Sequence, residues 1–378
     1  MDGIEIKGIN NWFEGIPLKP LIISGPCSAE TEEQLLLTAK AVAKIDKVKV
    51  LRAGIWKPRT RPGSFEGVGT IGLQWMKIAR KESGLLTTVE VTTPEDIEEC
   101  LKAEIDILWI GARSSSNPVY IRKLAEALKG VDIPLLIKNP IHPDIDLWMG
   151  TIERFYDAGI RRMAAVHRGF SPFEKTSLRN IPKWEIPIEL KRRIPALSII
   201  CDPSHIAGNT EYIFEISQKA LYLGMEGLMI ESHINPGMAL SDAKQQLTPA
   251  ELALLLDKLV FTCCQDEFEK AGMEQFRSEL EMLREQLNSI DQQMVELLAQ
   301  RMDVVKGIAE YKMKHNMSIF QLRRWRQTLE LNTGLGKKMG LSEDFLVKLI
   351  SLIHMESIQK QDEIIREIHE RNERESDE

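Results

Sequence analysis

The chain has 378 residues, 43% of them hydrophobic and 28% charged, with 24 Gly and 17 Pro. These proportions exclude collagen-like, disordered and disulfide-scaffold proteins, and the length suits two cores better than one. A formal net charge of −7 argues against sequence-independent nucleic-acid binding, which needs an electropositive surface. The charge is unevenly shared: residues 1–262 carry 32 basic and 33 acidic side chains, whereas 263–378 carry 17 and 23. The five cysteines, an odd number without framework spacing, fit a reducing compartment, and the adjacent Cys263-Cys264 pair reads as helix packing. The opening MDGIEIKGIN lacks the basic and apolar regions of a leader, and no apolar run approaches the ~18 residues of a membrane span. The expectation is a cytoplasmic protein with neither a membrane nor a nucleic-acid partner.

In chain order, short runs rich in Ile, Val and Leu occupy 21–23, 48–51, 86–91, 107–110, 134–137, 163–166, 197–200 and 227–230. Helix-like segments lie between them, such as 32–43 with its acidic first turn and 118–128 ending before Gly130. Eight alternations of strand and helix over about 260 residues predict an α/β (β/α)8 TIM barrel; a doubly wound open sheet is the competitor and normally uses fewer strands in this length.

The strand exits read Cys27, Arg52 with Lys57 and Arg59, Glu90, Arg113, Lys138, His167 with Arg168, Asp202 with His205, and Glu231. Barrel active sites are assembled at the carboxyl ends of the strands, so these groups are expected to converge on one mouth. Taken singly, each also reads as a solvated loop charge or a structural ion pair. Arg52, Lys57, Arg59, Arg113, Lys138 and Arg168 are cations suited to phosphate and carboxylate, which predicts phosphorylated, anionic substrates. Cys27, His205, Glu231 and, eleven residues further on, Asp242 are groups of metal-ligand type. Together they favour a divalent transition metal and leave Mn, Fe, Co and Zn open, while Cys27 alone also reads as a buried small hydrophobe.

Five ordered motifs carry a family resemblance. They are Gly25-Pro26-Cys27-Ser28; Arg52-Ala53-Gly54 leading into Lys57-Pro58-Arg59-Thr60; Ile110-Gly111-Ala112-Arg113; Asp202-Pro203-Ser204-His205; and Gly227-Leu228-Met229-Ile230-Glu231 with Ala239-Leu240-Ser241-Asp242. Over residues 10–262 the chain resembles the type I beta branch of 3-deoxy-D-arabino-heptulosonate 7-phosphate (DAHP) synthase. The resemblance implies a metal-dependent barrel that condenses phosphoenolpyruvate with erythrose 4-phosphate, the first step of the shikimate pathway. It implies Cys27, His205, Glu231 and Asp242 as metal ligands. Lys57, Arg113, Lys138 and Arg168, with Arg52 beside them, correspond to the phosphoenolpyruvate anchors. Lys57-Pro58-Arg59-Thr60 corresponds to the loop receiving erythrose 4-phosphate, and Glu90 to a carboxylate near the pyruvate end. The rival within the same fold is 3-deoxy-D-manno-octulosonate 8-phosphate synthase, which uses a longer sugar.

From 263 onward the chain has no Pro and few Gly. Apolar residues three or four apart, from Leu280 to Tyr311, predict one helix of about 40 residues over 274–314, about 60 Å long. Shorter helices are predicted over 322–332 and 343–370, separated by a loop at 334–340. The predicted organisation is a barrel over 1–262, a linker over 263–274 and a helical domain over 275–378. On the long helix Arg284 lies 17 residues before Arg301, roughly 26 Å along the axis, so no small ligand can meet both on one copy. Taken alone, such residues also read as solvated helix charges.

Over about 275–366 this spacing resembles an AroQ-class chorismate mutase, an all-helical intertwined dimer. By position Arg284, Arg301, Lys312, Arg324, Ser357 and Gln361 match its ligand-binding set, with Arg284 donated to the partner's site. The resemblance implies rearrangement of chorismate to prephenate without a cofactor, Arg301 holding carboxylate while Lys312 and Gln361 stabilise charge on the ether oxygen. Trp325 and Gln321 stand where well-known members keep Glu and Asp. Two readings follow: a bifunctional enzyme, or a sensor and dimerisation module that binds chorismate or prephenate and alters synthase activity. Both imply a homodimer, with prephenate as an effector.

Overall fold

The computed structural model describes residues 5–57, 63, 65–173, 176–261 and 274–376. The chain forms two compact units, Met1–Cys264 and Gln265–Glu378. In the first, eight parallel strands close on themselves in sequence order. They are β1 (Leu21–Gly25), β2 (Val48–Ala53), β3 (Leu86–Val91), β4 (Ile107–Ile110), β5 (Leu135–Lys138), β6 (Met163–His167), β7 (Ser198–Cys201) and β8 (Gly227–Glu231). β8 returns to β1 in continuous register, from Leu21 opposite Gly227 to Gly25 opposite Glu231. The strands fall on the apolar runs read from the sequence, with β5 and β7 beginning one residue later than expected. At β5 the reason is local: Pro134 has no N–H for the ladder, although its carbonyl accepts from Leu108.

Successive residues of a strand face opposite sides, so each strand feeds two cores. Leu21, Ile23, Val50, Ile107, Trp109, Leu136, Ala164, Val166, Ile200 and Met229 fill the barrel interior. The alternate residues, such as Ile22, Leu51, Val89, Leu108, Leu135 and Ala165, pack outward with the surrounding helices. Those helices begin with side-chain caps. Thr31 accepts from the Gln34 amide, and Thr93 with Asp96 and Thr248 with Glu251 form reciprocal capping boxes. The segment before β1 closes the lower end of the barrel: Ile9, Trp12 and Leu18 join the interior cluster, and the Trp12 carbonyl accepts from Arg162 at 2.7 Å.

The same parity corrects one expectation. His167 stands at a strand exit but is out of phase with Val166, so its ring turns away from the mouth. It lies among Trp148, Phe170 and Trp184, with ring centroids 5.3–6.5 Å away. Burial pulls its pKa from 6.5 down to about 3.

The second unit consists of a long helix (Glu274–Lys314), a middle helix (Leu322–Lys338) and a C-terminal helix (Glu343–Ser376). The middle helix runs through Gly334 and Gly336, where a loop was expected. The reason is close approach: a Cβ on Gly336 would sit 2.6 Å from Leu346 Cδ2, so this glycine admits a neighbouring side chain. The turn comes at Gly340, whose φ of 84° suits a residue without Cβ. Val305, Ala309, Leu346 and Ile364 are buried, whereas every residue from 278 to 300 is exposed, including Leu280, Leu283, Leu287, Ile290 and Met294. No described helix is long and apolar enough to cross a membrane.

The buried His167 yields a prediction. The unfolded chain protonates it near pH 6.5 while the fold holds it neutral down to about 3. Unfolding therefore takes up a proton across that window, and stability present above pH 6.5 is lost as pH falls, by up to ~1.4 kcal/mol per pH unit. His167→Phe is expected to reduce this slope by up to one proton. Denaturant unfolding of the barrel between pH 6.5 and 5 measures it, and an unchanged slope would refute the account.

Candidate functional site

The last inward position of each strand, or the residue just beyond it, is where the apolar interior gives way to charge. Val50 is followed inward by Arg52, Leu136 by Lys138, Val166 by Arg168, Ile200 by Asp202 and Met229 by Glu231. Trp109 forms the floor beneath them, with Arg52 Cζ 5.0 Å and Lys138 Nζ 5.8 Å from its ring centroid. Two buried ion pairs span the barrel: Arg52 Nη2 to Glu231 Oε1 at 3.0 Å, and Lys138 Nζ to Asp202 Oδ2 at 2.7 Å. Burial alone would raise the Asp202 pKa, but His205, Lys138 and Arg52 pull it well below the usual carboxylate range. Arg52 Nε and Nη1 have no hydrogen-bond partner, which leaves two donors unspent.

Cys27, Glu231 and Asp242 bring their donor atoms within 4.8 Å of one another. His205 adjoins them, its Nε2 3.7 Å from Glu231 Oε1, while its Nδ1 lies 2.9 Å from Asp202 Oδ1. Asp202 thereby fixes the ring and turns Nε2 toward the cluster. Glu231 Oε2 accepts from Gln245 Nε2 at 2.7 Å, whereas the buried Oε1 makes no hydrogen bond. Cys27 Sγ lies 3.1 Å from Lys57 Nζ and 3.4 Å from Asp242 Oδ2. Burial, reinforced by Glu231 and partly offset by Lys57, pushes the thiol up to about 11. A cation would take the place of its proton. One sulfur, one imidazole and two carboxylates gathered in this way fit a divalent transition metal.

The surroundings hold this set in place. A Cβ on Gly54 would sit 2.4 Å from Lys57 Cε and 2.6 Å from the Cys27 carbonyl, so Gly54 lets the lysine fold back over the thiol. Asp242 adopts a left-handed φ of 49° and pairs with Arg179 at 3.0 Å. Its loop is anchored where Glu30 accepts from the Leu240 amide at 2.8 Å. Gln246 accepts from the Cys27 amide at 2.9 Å.

Beside the donor set lies a cavity of about 270 Å³ lined by Lys57, Glu90, Arg113, Lys138, Arg168, Arg179, Asn180, His205 and Asp242, among others. Burial lowers the Arg168 pKa to about 10; Asp202 opposes the shift, and Arg179 and Arg113 add to it. Such crowding of like charges favours an anion. A Cβ on Gly111 would fall 1.9 Å from Glu90 Oε1, so the glycine leaves room for that carboxylate at the wall. Pro58, Arg59 and Thr60 lie outside the described residues, as do Cys263 and Cys264. Arg179, Asn180, Gln245, Gln246 and Trp109 were not anticipated from the sequence. The first four lie well beyond the strand exits, Gln245 at the end of a short 3-10 turn; the inward parity of Trp109 is the one readable signal.

The helical unit brings together four of its six candidates. Arg301 Nη1 donates to Ser357 Oγ at 2.5 Å, and Lys312 Nζ donates to Gln361 Oε1 at 3.0 Å and to the Ile319 carbonyl at 2.6 Å. Gln361 Nε2 donates to the Ser357 carbonyl at 3.0 Å, so the two polar residues brace each other across one helical turn. Burial lowers the pKa of both Arg301 and Lys312. Arg284 is exposed on the distant half of the long helix, and Arg324 is exposed in the first turn of the middle helix. Trp325 stacks on His354.

Comparison with known proteins assigns a family to each region. Residues 4–262 match the model of the DAHP synthetase I family, and residues 283–362 that of chorismate mutase type II. A phospho-2-dehydro-3-deoxyheptonate aldolase of Thermotoga maritima is 34% identical over 226 residues, covering 60% of this chain and 64% of the relative. A bifunctional chorismate mutase/prephenate dehydratase of Buchnera aphidicola is 37% identical over 89 residues, 24% of this chain and 23% of the relative. This chain thus spans less than two thirds of either relative's length. The crystal structure of a Thermotoga maritima DAHP synthase superposes with a TM-score of 0.56 at 32% identity, covering 63% of this chain and 67% of that one.

The bracing of Glu231 by Gln245 generates a prediction. Gln245→Ala frees one carboxylate oxygen and is expected to weaken divalent-cation binding about 10–100-fold, as loss of outer hydrogen bonds does elsewhere. Competition with a fluorescent chelator reads it; unaltered affinity would show that Gln245 has no part in holding the site.

Proposed function

Because the chain belongs to the DAHP synthetase I family over residues 4–262 and carries a chorismate mutase type II region over 283–362, we propose that it is a bifunctional enzyme. The barrel condenses phosphoenolpyruvate with erythrose 4-phosphate, and the helical unit rearranges chorismate to prephenate. The observation that carries the first half is the meeting, at one barrel mouth, of the Cys27, Glu231 and Asp242 donor set, with His205 beside it, and a cation-lined cavity.

In this reading Lys138, Arg113, Arg168 and Arg179 hold the phosphate and carboxylate of phosphoenolpyruvate. Fixing both reactants in attack geometry is worth up to ~7–11 kcal/mol of the barrier. C3 of phosphoenolpyruvate bonds to the aldehyde carbon, water adds at C2 and phosphate departs. A divalent cation held by Cys27, His205, Glu231 and Asp242 would supply Lewis-acid polarisation of the aldehyde. Lys57, 3.1 Å from Cys27 Sγ and also lining the cavity, is placed to give a proton to the oxygen that becomes a hydroxyl. Asp202 keeps His205 and Lys138 oriented.

The helical reaction needs no nucleophile. Arg301 holds a carboxylate, and Lys312 with Gln361 faces the ether oxygen as charge develops on it. Arg284 acts from a second copy, an arrangement supported by its distance along the helix and by the exposed apolar residues of 278–300. The homodimer covers that stripe, and prephenate formed by one unit acts as the effector of the other.

Two outcomes are expected. Exhaustive treatment with EDTA should abolish condensation and Mn²⁺ should restore it, with phosphoenolpyruvate loss greater with erythrose 4-phosphate than with arabinose 5-phosphate. Full activity after chelation would reject the metal assignment, and preference for the five-carbon sugar would reject the substrate. Arg301→Ala should lower chorismate consumption ~100-fold, the scale of a lost positioning contact, while condensation continues. Absence of turnover by the wild-type protein would leave the helical unit as a sensor.

A further inference from the structure

Among the described residues of the helical unit, His354 carries a buried polar atom that these roles leave unused. His354 shares a face of the C-terminal helix with Ser357 and Gln361, three and seven residues further on. Its ring lies flat on Trp325 of the middle helix, with centroids 4.2 Å apart and planes within 13° of parallel, and Phe320 approaches at 6.0 Å. Stacking fixes the imidazole without consuming its nitrogens. Nε2 is buried and has no hydrogen-bond partner. Burial, with Arg301 and Lys312 nearby, holds the pKa below the ordinary 6.5. At neutral pH the ring is therefore uncharged and keeps one N–H and one lone pair.

The ligand has matching chemistry. Chorismate presents two carboxylates, one ether oxygen and one ring hydroxyl. Cationic arginines suit the carboxylates, and Lys312 with Gln361 suits the ether. What remains on the ligand is a neutral hydroxyl, and His354 offers a neutral imidazole whose buried Nε2 has no partner. A hydroxyl can donate or accept, so it can satisfy whichever tautomer places Nε2 toward it. We propose that His354, held flat by Trp325, hydrogen-bonds the ring hydroxyl of chorismate through Nε2 and makes the site selective for the hydroxylated substrate. The assignment rests on the mutase reading given above. It adds a residue to the substrate contacts and gives Trp325 a role as its positioning residue.

The test compares chorismate with its analogue lacking the ring hydroxyl, using the full-length protein. Wild type is expected to lose about tenfold in kcat/KM when the hydroxyl is removed, the scale of one neutral hydrogen bond. His354→Leu should lose about tenfold on chorismate and treat the two substrates alike, whereas His354→Gln, which retains a neutral polar group, should recover part of the preference. Equal use of both substrates by the wild type overturns the proposal without any variant. So does a His354→Leu protein that discriminates as wild type does. Failure of wild type to consume chorismate at all would instead reject the mutase reading, and this assignment with it.

Discussion

Closure of a parallel barrel imposes the constraint on which the rest of the first unit depends. Once Leu21 to Gly25 are paired with Gly227 to Glu231, the register of the ring is fixed, and so is the side of the sheet that each residue faces. Each strand then ends its apolar inward series at one level. Arg52, Lys138, Asp202 and Glu231 are neighbours because parity and register bring them there, from parts of the sequence up to 179 residues apart. Trp109, one layer below, is the last large apolar surface they meet.

Charge at this level is organised in two shells with different purposes. The inner shell is balanced, each buried cation facing a buried carboxylate. Such pairs contribute little net stability, since desolvation offsets most of their attraction, but they fix the orientation of the groups that carry them. Asp202 shows the consequence, because it orients Lys138 and His205 together. The outer shell sets Lys57, Arg113, Arg168 and Arg179 against Glu90 and Asp242; burial is the main cause of the lowered Arg168 pKa, and Arg179 and Arg113 add to it. A net charge close to zero over residues 1–262 is thus compatible with an anion-seeking mouth, because the compensating carboxylates lie elsewhere on the unit.

Much of this was legible in the sequence because parallel strands buried on both faces are continuous apolar runs, and such runs announce themselves. Reading only the exits, without counting parity, misplaced His167; its offset of one residue from Val166 was enough to send it into the aromatic layer outside the sheet. The middle helix was misjudged for a related reason. A glycine pair reads as a loop signal, but Gly336 serves packing against Leu346, a contact that depends on a residue ten positions away. Gln245, Gln246 and Arg179 had no local signal at all. They act through hydrogen bonds and ion pairs to Glu231, Cys27 and Asp242, and only the closed barrel brings those partners together.

The second unit follows a different logic, in which local pattern is strong and tertiary burial within one chain is slight. Its helices are set by periodicity, yet the long helix exposes all its side chains from 278 to 300, and the buried seam reduces to a few positions such as Val305, Ala309 and Ile364. A helix in water draws most of its stability from packing an apolar face, so a stripe running from Leu280 through Leu287 to Met294 calls for a cover. The proposed second copy supplies that cover and brings an Arg284 that, on the same helix, lies too far along the axis to reach Arg301. On that proposal stability and chemistry depend on the same association: a dimer that buries the stripe would also complete the site.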